Sequence, residues 1–126
     1  HVEVPAMEYQ QLASLEKGEA SSQIRARVVV ARAVQRERFS KQRTSHAIHC
    51  NAHMRAKDVH KHCQLDEAAQ TLLKAAMADL NLSARAYDRI LKVARTIADL
   101  AQQAHIAVDH IAEAIQYRAL DRQYWI

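Results

Sequence analysis

Three groups of residues in this 126-residue chain could do chemistry, and each suits a different kind. Arg85 and Arg89 stand one turn apart near the start of an amphipathic stretch, residues 82 to 100 (LSARAYDRILKVARTIADL). The helix dipole disfavours a cation in the first turn. Arg85 is therefore either neutralised by a neighbour such as Asp88 or held ready for an anion, which the free N–H groups of that helix end also favour. A second group crowds residues 46 to 63: His46, His49, Cys50, His53, His60, His62 and Cys63. All are competent zinc ligands, and His49 and His53 would share a helical face. Neither a CxxC pair nor an HExxH motif is present, so the reading is a polar loop with a buried cysteine and no metal. The third group is basic. Between Ser21 and Arg43 lie Arg25, Arg27, Arg32, Arg36, Arg38, Lys41 and Arg43 against Glu37 alone. Arg25, Arg32 and Arg36 form a stripe that suits nucleic-acid phosphates or an acidic partner surface.

Groups for covalent or acid–base catalysis are missing. The sequence has no GxxxxGK[ST] loop, no paired-carboxylate motif and no nucleophile with an evident base. By itself the chain is not expected to be an enzyme.

The elements that must position these residues are helical. One Gly and one Pro in the chain argue against a β-rich fold, which needs turn residues often. All-α is the expectation, as a bundle of about four to five helices in one domain over residues 1–126. The opening HVEVP reads as an extended stub, residues 1–5, ended by Pro5; a lone stub needs a sheet, so a preceding α/β domain is expected. A short helix is expected over 6–15, ended by Gly18. Ser21 or Ser22 should cap a long helix to about Phe39, with Ile24, Val28, Ala31 and Gln35 inward. Residues 40–63 read as a polar loop with a short helix near 53–61. Asp66 should cap a helix to Leu80 with Leu72, Leu73, Ala76 and Leu80 inward. Ser83 should cap the next, 83–103, with Leu82 and Tyr87 as a hydrophobic staple. Its apolar face is Tyr87, Ile90, Leu91, Ala94, Ile97, Ala98 and Ala101, opposite Arg85, Arg89 and Lys92. A last helix from Val108 should bury Ile111, Ala114, Ile115 and Leu120 before the aromatic tail Tyr124-Trp125.

The net charge is +4, but the 21–43 segment carries +6 and the remainder −2. No apolar run is long enough to span a membrane and no signal peptide is visible, so no membrane partner is expected. Two cysteines are too few for a disulfide scaffold, which makes a reducing cytoplasm the expected location.

LSARAYDRILKVARTIADL, followed by HIAEAIQYRALDR, resembles the C-terminal part of the magnesium-chelatase-like AAA+ ATPases. HVEVP resembles the strand leaving their ATPase core. Gly18 to Val28, GEASSQIRARV, resembles their GESS-x-x-IR-x-RV segment, and Asn51-Ala52 with Met54 falls in their polar middle. The histidine-rich segment is the part least like the family.

The resemblance implies a helical lid that follows a nucleotide-binding core and closes over ATP and Mg²⁺ held there. By position in the motif, Arg85 matches the sensor arginine that contacts the γ-phosphate, with Arg89 as a secondary phosphate contact. The lid's partners would be its own core domain and, in the intact protein, a homo-hexameric ring. For competence-type members the resemblance implies DNA remodelling such as branch migration; for the chelatases proper it implies magnesium insertion into a porphyrin. An autonomous helical nucleic-acid-binding module, using Arg25, Arg32 and Arg36, is the alternative.

Overall fold

The computed structural model describes residues 1–42 and 47–119. Its α-helices are α1 (Tyr9–Ala13), α2 (Ser21–Ser40), α3 (Ala56–His62), α4 (Glu67–Asp79), α5 (Ala84–Leu100) and α6 (Val108–Ala119), with a 3₁₀ turn at Asn51–His53. The fold is all-α, as composition requires. Six α-helices exceed the four or five expected, the excess coming from short α1 and α3. Among the described residues the only β pairing is an isolated parallel bridge between Leu65 and Ile106, which sets the starts of α4 and α6 side by side.

The helices begin and end where side chains or backbone twists satisfy free polar groups. Asp66 accepts from Ala69 N at 2.8 Å and starts α4. Asn81, at φ 47°, stops it: Leu82 N donates to Met77 O and Asn81 N to Ala78 O, the Schellman pattern. Ser83 Oγ then accepts from Ala86 N at 3.2 Å and starts α5. That helix ends at Leu100, three residues before the expected 103, because Gln102 takes φ 55° and repeats the Schellman pattern, Gln103 N donating to Ala98 O. The start of α2 departs from expectation. Its cap is Ala20, which has no hydroxyl to offer, and Ser21 is already helical.

The core forms where α5 packs against α3 and α6, with α4 packed in turn against α6, and Phe39 of α2 closes one end. Leu73, Ile90, Leu91, Ala94, Ala98, Ile106 and Ile111 are among its most buried apolar side chains, with Ala69 and Ala114, and are joined by Met54, Val59 and Cys63. Burying one large aliphatic side chain contributes roughly 1.5–3 kcal/mol, so this cluster supplies most of the stabilisation that can offset chain entropy. On α4, Leu73 is buried while Leu72, Ala76 and Leu80 are half-buried; on α6, Ile111 and Ala114 are buried and Ile115 half-buried. Leu120, Tyr124 and Trp125 lie outside the described residues.

Two expected faces are displaced. On α5, Tyr87 and Ala101 are exposed, while Arg95 and Asp99 are buried, so the inward arc is turned toward those two charges. On α2, Ala31, Gln35 and Phe39 are buried, but Ile24 and Val28 remain 43% exposed, because α5 meets only the C-terminal half. Upstream, α1 buries nothing, and residues 1–7 form no helix and stay exposed. The short helix expected at 53–61 is instead the 3₁₀ turn plus α3, separated by Met54 and extended Arg55.

Candidate anion-binding site

Packing fixes where the α5 cations point. Ile90, Leu91, Ala94 and Ala98 face the core, so Arg85 and Arg89 are left on the solvent side, both exposed. They line one groove of about 600 Å³ together with Lys92, Asp88, and Tyr117 and Arg118 of α6. Lys92 Nζ donates to Ala52 O at 3.3 Å, which tethers this cation to the 3₁₀ turn. Tyr117 donates its hydroxyl to Glu113 at 2.9 Å, and that acceptor raises the phenol pKa. The first residue reaches the same place, its backbone nitrogen donating to Tyr117 O at 2.8 Å.

The groove gathers four cationic side chains around one carboxylate, Asp88. Among the described residues no carboxylate lies within ion-pair distance of Arg85 or Arg89. Neutralisation of Arg85 by Asp88, the alternative raised by the sequence, is therefore not what the structure shows. The arrangement can take a multiply charged anion, with guanidiniums giving forked hydrogen bonds and the lysine a point charge. It has no nucleophile and no paired acid and base.

The other sequence candidates lie elsewhere. Arg25, Arg32 and Arg36 are exposed on α2, and none of them lines this groove. Among the described residues no three His, Cys, Asp or Glu side chains gather as a metal site; His46 falls outside those residues. Cys63 is buried and its thiol is pushed up to about 11, chiefly by desolvation. His62 Nε2 accepts from Gln42 Nε2 at 2.8 Å and the ring sits edge-on to Phe39, and desolvation lowers its pKa.

What the sequence did not disclose is a buried ionic cluster that ties α2 to α5. Asp99 accepts from Arg38 Nη1 and Nη2 at 2.8 and 2.5 Å, from Asn51 Nδ2 at 2.9 Å and from Arg95 Nε at 3.2 Å. Asn51 also accepts from Arg38 Nη1 and takes Gln35 Oε1 on its backbone N–H at 2.9 Å. Arg95 spends its remaining nitrogens on the carbonyls of Gln103 and Ala104, holding the exit of α5. Burial lowers the Arg95 pKa, opposed by the Asp99 charge. The available signal was the i, i+4 pair Arg95/Asp99 flanking an apolar face, together with the Asn51-Ala52 turn.

A family model described as magnesium chelatase, subunit ChlI C-terminal, matches residues 18–118. Competence protein ComM of Haemophilus influenzae is 39% identical over 122 residues, covering 96% of this chain and 22% of that protein. The uncharacterized protein YifB of Escherichia coli is 38% identical over 105 residues, 83% of this chain and 19% of that protein. The uncharacterized protein Rv2897c of Mycobacterium tuberculosis is 33% identical over 101 residues, 80% of this chain and 19% of that protein. The chain spans about a fifth of the length of these curated relatives.

Proposed function

Because the chain belongs to the magnesium chelatase subunit ChlI C-terminal family, we propose that it works as the helical lid of an AAA+ ATPase, with Arg85 contacting the γ-phosphate of ATP. The observation that carries this reading is the groove itself. Arg85 and Arg89 stand exposed and without a carboxylate partner beside Lys92, in the first turns of a capped helix. An unpaired cation at a helix start costs roughly 0.3–1 kcal/mol, which a bound anion would offset. The donor set fits phosphate oxygens. It does not fit Mg²⁺, for which the groove offers only Asp88, so the metal would be held by the ATPase core with the nucleotide.

For the whole protein we propose ATP turnover in a homo-hexameric ring, coupled to DNA remodelling such as branch migration. A competence protein that aligns over 96% of this chain supports that use. Among the described residues no helix is long and apolar enough to cross a membrane. In the intact ATPase, Arg85→Ala is expected to reduce ATP turnover sharply while the helical circular dichroism of this domain stays unchanged. Turnover equal to wild type would show that another group holds the phosphate.

A further inference from the structure

The structure sorts the five arginines of α2 by what already holds them. Arg38 is committed to Asp99 and Asn51 in the interior. Arg27 is paired with Glu19. Arg25, Arg32 and Arg36 are exposed and have no ion-pair or hydrogen-bond partner among the described residues. At 3.6 residues per turn these three fall within an arc of about 40° and span about 16 Å of helix, a straight file of guanidiniums. Glu37, the single acid on α2, sits about 100° away from that file. The first ten residues of α2 bury nothing, so the upstream part of the file is open to a large partner.

We propose that this file is a docking surface for the phosphate backbone of double-stranded nucleic acid, bound without regard to sequence. A row of guanidiniums matches a row of phosphates, because each pair forms charge-assisted hydrogen bonds and releases condensed counterions. No aromatic side chain stands in the file, so it offers no platform for stacking unpaired bases, and a duplex is the form that needs none. The apolar residues beside it are valines and Ile24, without the Trp, Phe or Leu that anchor a helix in lipid. The surface is separate from the α5 groove, and the proposal does not depend on the nucleotide reading.

The test uses the 126-residue chain without ATP and a fluorescent duplex of arbitrary sequence, titrated by anisotropy across a potassium chloride series. Three neutralised phosphates predict a slope of about −2.7 in log affinity against log salt, so affinity should fall about 40-fold from 50 to 200 mM. Arg32→Gln combined with Arg36→Gln should leave a slope of about −0.9 and a fall of about 3.5-fold. Arg85→Gln with Arg89→Gln should leave the slope as in wild type. Helical circular dichroism checks folding; if the α2 double variant unfolds, Arg25→Gln alone should bring the slope to about −1.8. The proposal is overturned by no duplex binding at 50 mM salt, by a slope indifferent to the α2 variants, or by one lost in the α5 variant. Binding to phosphatidylserine vesicles in place of duplex would overturn it as well.

Discussion

Replacing Asp99 by Asn keeps the side chain's size and removes the one anion that two buried guanidiniums share. Asp99 is 2% exposed as a residue, and its fully buried carboxylate accepts from Arg38, Asn51 and Arg95. In the variant an NH₂ group replaces one acceptor oxygen, so Arg38 or Arg95 faces a donor, and neither charge is balanced. Removing one partner of a buried ion pair costs about 3–5 kcal/mol, against a total stability of roughly 5–15 kcal/mol for a domain. With a urea slope of about 2 kcal/mol/M, the unfolding midpoint should drop by about 1.5–2.5 M. Arg38→Met provides the control. It leaves Asp99 paired with Arg95 and hydrogen-bonded to Asn51, so it should cost less, roughly 1.5–3 kcal/mol for lost bonds to a charged group. Urea unfolding followed by circular dichroism measures both, in a chain short enough to expect two-state behaviour. A midpoint loss below about 0.5 M for Asp99→Asn, or a larger loss for Arg38→Met, would refute the reasoning.

Two further outcomes follow from local geometry. Ser83→Ala deletes the acceptor for Ala86 N and should cost about 1 kcal/mol, a midpoint shift of about 0.5 M in urea; an unchanged midpoint would show that α5 starts without its cap. Cys63 keeps its proton in the folded chain until about pH 11, whereas an unfolded thiol loses it near 9.0. The associated stability is therefore full below pH 9 and is lost between 9 and 11, a slope that Cys63→Ala should abolish; at pH 8 a thiol reagent should label Cys50 well before Cys63.

The parts legible in the sequence are those whose signals are local. Asp66 and Ser83 were readable as caps because each is followed by an apolar period of three and four, and both cap as expected. The exposure of Arg85 and Arg89 was readable for the same reason, since the apolar residues of α5 dictate its outward side. On α2 the same logic found the right face but not its extent. Periodicity marks which side of a helix would be buried, and only a neighbour such as α5 determines how much of it is covered, hence the half-exposed Ile24 and Val28. The polar middle was opaque because its organiser is long-range. Asn51 acts through Arg38, 13 residues upstream, and Asp99, 48 residues downstream, and no window of sequence contains the three together.

That cluster also bears on how the two candidate surfaces relate. Arg85 and Asp99 sit at opposite ends of α5, 14 residues or about 21 Å apart, on one helix packed along most of its length. The upstream end presents Arg85 to the groove, and the downstream end grips α2 through Arg38. The C-terminal half of α2, which carries the end of the file, is held from three sides: Arg38 by Asp99 of α5, Gln35 by Asn51 of the 3₁₀ turn, and Phe39 by His62 of α3. The groove and the α2 file thus share one helix as a common support: Arg85 projects from α5, and Arg38 ties α2 to it. Arg38→Met removes that tie while leaving every exposed arginine of both surfaces in place.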